Sequence, residues 1–176
     1  RPFCLSSRRC DVQKSQRLLG NRRPKAPDSL PRDEELPRAL SMARIGDHLT
    51  RRGYHFRVDD DGDITGTWDG HRFWFLLLGD RSEILQVRGR WSTTLPVESR
   101  LVTLQTVNDW NRERIWPKVY VREEGGRLAL YAEVSVDLEH GATDDQLAQT
   151  VSCGLGTAVQ LFHAIGAQLP PGTLDD

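Results

Sequence analysis

The residues of this 176-residue chain that could do chemistry fall into a few patterns, and most fail a simple spacing test. Asp59-Asp60-Asp61-Gly62-Asp63 has the acidic density of a calcium loop. Such a loop needs glycine sixth and glutamate twelfth, and counting from Asp59 those positions hold Ile64 and Gly70. The run reads instead as a solvated turn. Gly154-Leu155-Gly156 resembles part of a nucleotide loop, but it lies inside a helical apolar stripe and lacks the third glycine. His48, His55, His71, His140 and His163 show no i, i+4 ligand pair. Cys153 sits in a small-residue helical segment, which predicts a packed thiol rather than a nucleophile. An enzyme built on Asn108, Asn111 and Cys153 would need those three to meet in one cleft. The sequence therefore predicts no catalytic residues, no metal and no cofactor.

Two patterns remain. The first is Val107 to Lys118, where Leu101, Leu104, Asn108, Asn111 and Ile115 share one face at helical spacing. Asparagines on an apolar stripe must find hydrogen bonds, either to backbone where the helix hands over to the next strand or to a ligand. The second is a strand face. Phe73, Phe75 and Leu77 alternate with Arg72, Trp74 and Leu76; Leu85 and Val87 alternate with Gln86, Arg88 and Arg90; Val119 and Val121 alternate with Lys118, Tyr120 and Arg122. If helices cover the apolar set, the other face displays cations and aromatics, the residue types favoured where proteins bind proteins. An ordinary solvated sheet face is the plainer alternative.

The elements that must position these residues follow from periodicity and punctuation. A helix is expected from Pro37 to Arg52, closed by Gly53. Strands follow over 54–58, 64–68, 71–78 and 83–91, with Asp69-Gly70 as the hairpin turn. A helix over 96–115 leads to strands 118–122 and 127–136. The last helix starts at Thr143, where Thr143 and Gln146 form a capping box, and Gly154 and Gly156 are expected to allow close packing. Tight turns force antiparallel pairing, so the prediction is an α+β fold, α-β(3-4)-α-β(2)-α, with helices on an antiparallel sheet.

Composition narrows the function classes. Residues 1–30 carry eight basic and two acidic side chains, whereas the remainder carries 16 basic and 23 acidic ones, a net −7. An acidic body disfavours general nucleic-acid binding. No apolar run is long enough to span a bilayer, so no membrane is expected among the partners. Three scattered cysteines do not make a disulfide framework, which predicts a reducing compartment.

From Gly53 to Gly166 the chain resembles the actinobacterial type of the YbjN family. The resemblance is carried by Tyr54-His55-Phe56, by Trp68-Asp69-Gly70-His71-Arg72-Phe73 and by Ala132-Glu133. Leu138 to Thr143 carries it too, and the segment with Asn108, Trp110, Asn111, Arg114 and Pro117 is its most specific part. It implies a fold similar to the type III secretion chaperones and the family's label of bacterial sensory transduction regulator, in the cytoplasm. It brings no catalytic residues with it.

The combined expectation is a basic disordered tail over 1–30, a YbjN-like domain over 31–170 and a short tail over 171–176. Its function is expected to be non-enzymatic: a regulatory or chaperone-like domain that binds a protein partner through Arg72, Trp74, Arg88, Arg90, Lys118, Tyr120 and Arg122, with a homodimer as a further expectation. Single-stranded nucleic acid on the same face is the alternative, since aromatics stack bases and arginines track phosphates.

Overall fold

The computed structural model describes residues 36–167. The expected tails, 1–30 and 171–176, lie outside the described residues. The first helix, α1 (Met42–Arg51), starts later than Pro37 because Ser41 is its N-cap, its side chain accepting from the Arg44 N–H. Gly53, at a φ of 74°, closes it in the left-handed region as expected. Arg38 instead pairs its backbone with Ala142.

Six strands follow: β1 (Phe56–Val58), β2 (Ile64–Trp68), β3 (His71–Leu78), β4 (Ile84–Pro96), β5 (Lys118–Glu124) and β6 (Arg127–Asp137). They form one fully antiparallel sheet in the order β1-β2-β3-β4-β6-β5. Asp59 organises the acidic turn, its carboxylate accepting from the N–H groups of Asp61 and Asp63. That is a turn's use of aspartate. Asp69 and Gly70 both take positive φ in the β2–β3 hairpin, as the sequence demanded.

Two further boundaries differ from expectation by four residues or more. Strand β4 runs five residues past Trp91, because a register shift between Arg90 and Thr94 lets it bend and keep pairing with β6. The second helix then begins after a 3-10 turn, Val97–Ser99, as α2 (Arg100–Glu113). The third, α3 (Asp144–Gly166), has the predicted capping box between Thr143 and Gln146.

The core lies between the helices and one sheet face. Phe73, Phe75, Leu85, Val87, Leu130, Ala132 and Val134 point into it from the strands. Ile45 and Leu49 enter from α1, and Leu147, Val151, Leu161 and Phe162 from α3. A Cβ on Gly154 would lie 2.6 Å from the Cβ of Val87, so α3 sits on β4 at backbone distance there. Gly156 has nothing within 4 Å and plays no such part, contrary to expectation. Among the described residues no helix is long and apolar enough to cross a membrane.

The α2 stripe also departs from the sequence reading. Thr103 and Val107 are the residues it buries, whereas Leu101 and Ile115 are 83% and 89% exposed and Leu104, Asn108 and Asn111 also face outward. Helix α2 lies along the edge strand β5 rather than over the middle of the sheet, so only a narrow strip of it is covered.

Candidate protein-binding face

The sheet face away from the core is built by strand alternation. Register places Arg57, Thr65, Trp74, Arg88, Glu133 and Lys118 in one row across all six strands. The next row holds Thr67, Arg72, Arg90, Tyr131 and Tyr120. All seven expected contact residues, Arg72, Trp74, Arg88, Arg90, Lys118, Tyr120 and Arg122, thus lie on one side. The described helices pack on the other: Gly154 meets Val87, Phe162 meets Gly89, and Gly46 meets Ile64.

The face is not a free cationic field. Two carboxylates organise its β4–β6–β5 side. Glu133 is only 5% exposed and accepts from Arg88 Nε at 2.8 Å, Lys118 Nζ at 3.1 Å and the Tyr120 hydroxyl at 2.6 Å. Arg88 also donates to the Gln86 side-chain oxygen, and Gln86 donates to the Ser135 hydroxyl. Glu124 accepts from Arg90 at 2.9 and 3.1 Å and from the Tyr131 hydroxyl at 2.5 Å. Tyr120 and Tyr131 stack with centroids 5.3 Å apart and planes 9° from parallel.

These contacts set the charge states. Burial alone would push the Glu133 carboxyl up, but the Tyr120 and Lys118 hydrogen bonds and the Arg88 charge hold it below the usual range. The Tyr131 hydrogen bond holds Glu124 down against burial, with help from Arg90. Burial raises the Tyr120 hydroxyl well above its ordinary value, reinforced by Glu133, so it stays a donor.

Outside this core of pairs, the face keeps three guanidiniums that form no ion pair among the described residues: Arg57, Arg72 and Arg122. Arg72 lies 4.9 Å from the centroid of Trp74, and Arg122 lies 5.6 Å from that of Tyr131. Arg57 and Arg72 line a hollow of about 420 Å³ together with His55, Thr65 and Thr67. The arrangement can take up negative charge and cover an aromatic ring at its β1–β3 side. At its β5–β6 side Arg88, Arg90 and Lys118 are already paired with Glu133 and Glu124, and Arg122 alone is left over the Tyr131 ring.

Glu124, Glu133 and Tyr131 are the members the sequence reading missed. Alternation along β6 puts Tyr131, Glu133 and Ser135 on one side, and that signal would have found two of them.

The asparagine segment has a structural role at the sheet edge. Asn111 donates its amide to the Val119 carbonyl and accepts from the Val119 N–H, both at 2.9 Å. Asn108 is exposed, Trp110 packs against the core with Arg114 at 4.2 Å from its ring, and Pro117 is buried. Asn108, Asn111 and Cys153 are not among the residues lining the hollows at Arg57–Arg72, at His48–Ser152 or at Met42–Ile64. Cys153 is half-buried on α3, and burial pushes its thiol up, away from a reactive thiolate.

A single antiparallel sheet with helices on one side and an exposed polar-aromatic face on the other defines the class: an α+β domain whose distinctive surface is its sheet. The chain belongs to the YbjN family, described as "Putative bacterial sensory transduction regulator", whose model matches residues 41–167. It is similar to the crystal structure of YbjN from E. coli, with a TM-score of 0.64 and 14% identity over 76% of this chain and 99% of that one. It is also similar to a protein of Methanothermobacter thermautotrophicus, with a TM-score of 0.54 and 13% identity over 74% and 100% of the two chains. A chain of the HopA1–SchA chaperone–effector complex aligns at a TM-score of 0.48, with 14% identity over 71% and 96%. No curated protein matches the sequence.

Proposed function

We propose that this domain is a non-enzymatic regulator that works in the cytoplasm by holding another protein on its open sheet face. The observation that carries the reading is Trp74, flanked by Arg72 and backed by Arg57, on a face that no described helix covers. An indole and guanidiniums bury area while keeping a polar rim, which is what a protein partner rewards. The paired β4–β6–β5 side serves as a rigid platform, because Arg88, Lys118 and Tyr120 are all oriented by Glu133. The family description supports a regulatory role, and the bonds of Asn111 to the Val119 backbone support a structural use of the asparagine segment.

The same two carboxylates weigh against nucleic acid on this face. Glu124 and Glu133 sit where a phosphate backbone would cross, and each Tyr ring has one side occupied by the other. A second copy of the chain is a further partner in this reading, with the exposed Leu101, Leu104, Ile115 and Trp116 of the α2 region as its surface.

Affinity capture from the native cell tests the main claim. Arg72→Ala with Trp74→Ala is expected to lose proteins that the unaltered chain retains. An identical captured set would remove the open face from the account.

A further inference from the structure

The sheet has two outer edges, and they are treated differently. On β5, the N–H and carbonyl of Val119 are both taken by the Asn111 amide, which stands where a neighbouring strand would pair. Among the described residues strand β1 has no such plug. The Asp59 N–H donates inward to the Asp63 carbonyl at 2.9 Å. Antiparallel alternation then turns the N–H and carbonyl groups of Phe56 and Val58 outward, and no described group bonds to them.

A hollow lies on each side of this open edge. On the open face it is the one lined by Arg57, Arg72, His55, Thr65 and Thr67. On the helix face a second hollow, of about 270 Å³, is lined by Met42, Gly46, Phe56, Val58 and Ile64. The first is basic: Arg57 and Arg72 have no carboxylate partner among the described residues, and Arg72 meets the Trp74 ring instead. Added negative charge there is favourable, because it meets two cations that no carboxylate compensates. The second hollow is mainly apolar.

We propose that β1 accepts an extended segment of a partner protein as a seventh strand, with acidic side chains facing Arg57 and Arg72 and apolar side chains entering the hollow beside α1. A strand delivers alternate side chains to opposite faces, so one segment fills both hollows at once. Its backbone meets the unused groups of Phe56 and Val58. A polypeptide satisfies all three features together; a nucleic acid has no strand backbone to offer and nothing for the apolar hollow. The proposal rests on the protein-binding reading above and names the chemistry of the partner.

The test uses the full chain and a labelled peptide of about eight residues, the length of a common strand, alternating Glu and Val. Its counterpart alternates Lys and Val. The Glu peptide is expected to bind saturably, and Arg57→Ala with Arg72→Ala to weaken it by about tenfold or more, as loss of facing charges does. Methylating alternate backbone nitrogens of the peptide, or introducing Val58→Pro, is expected to weaken it comparably, because each removes an edge hydrogen bond. Unchanged circular dichroism confirms that the variants fold. Trp74→Ala is expected to keep the peptide while losing partners in cell capture, which separates this claim from the open-face reading. The proposal is overturned if the Glu peptide shows no saturable binding. It is also overturned if the Lys peptide, the methylated peptide or the double variant gives the same affinity.

Discussion

The Tyr120 hydroxyl donates to Glu133 at 2.6 Å, and this bond joins the edge strand β5 to β6 on the exposed face. Lys118 and Arg88 reach the same carboxylate from either side. Glu133 is thus the shared acceptor for two cations and a phenol, and removing it leaves three donors without their partner. Glu133→Ala is expected to destabilise the domain by about 2–4 kcal/mol, the range for breaking a buried ion pair with some allowance for exposed partners. Tyr120→Phe is expected to cost only about 1 kcal/mol, since one hydrogen bond is lost. Urea unfolding midpoints check both.

Histidine burial gives the domain a mild acid sensitivity above the carboxylate range. His71 accepts the Ser92 N–H at Nδ1, so its ring is neutral there, and burial lowers its pKa, opposed by Asp69 and assisted by His163. His48 is lowered by burial and by Arg52 and Arg51. A histidine held below its ordinary value stays neutral in the fold but takes up a proton when unfolded, so the unfolded state binds more protons. Stability is then expected to fall as pH drops through about 6.5, the free histidine value. A second fall is expected below about pH 4.5, where Glu124 and Glu133 ionise when folded but are protonated when unfolded. Thermal melts across pH 4 to 8 check the two steps, and His71→Gln is expected to shrink the first alone.

The two glycines of α3 are expected to respond oppositely to the same change. Gly154→Ala places a methyl against Val87 at 2.6 Å between backbones that cannot separate cheaply, a cost of about 1–3 kcal/mol. Gly156→Ala meets nothing within 4 Å and gains helix propensity, a stabilisation of about 0.5–1 kcal/mol. Melting temperatures of the two variants settle the comparison.

Asn111 is expected to protect against association as well as to stabilise. Asn111→Ala leaves the Val119 N–H and carbonyl unpaired at an open edge, costing about 1–3 kcal/mol. Light scattering is expected to report concentration-dependent growth for this variant, because an unplugged edge invites strand pairing. The apolar surface beside it makes a different prediction. If a second copy docks on α2, Leu104→Glu with Ile115→Glu converts a dimer into a monomer in sedimentation; identical sedimentation of the two proteins would exclude that surface.

How much of this was legible in the sequence depends on the range of the interactions. Asp69-Gly70, the Thr143–Gln146 box and Gly53 are local devices, and each forms as its residue types require. The open face was legible because alternation is local too: Arg72, Trp74, Arg88, Arg90, Lys118, Tyr120 and Arg122 share a side once their strands are placed. The pairing within that face was not. Arg88 and Glu133 are 45 residues apart, and nothing short of the β4–β6 register brings them together. The α2 stripe failed for a related reason: periodicity shows that Leu101, Leu104 and Ile115 can share a face, but not that the helix lies at an edge with little to cover it. Arg57 lay within the expected strand over 54–58, but only the β1–β2–β3 register brings it to the same hollow as Arg72.

The central claim is that the face carrying Trp74 is where a partner sits. Hydrogen–deuterium exchange on a captured complex, compared with the free domain, tests it most directly. The account predicts slowed exchange in β1 to β3, at 56–58 and 71–78, with the outer surface of α3 around Gln160 unchanged. Slowed exchange confined to α3, with those strands unaffected, would contradict it.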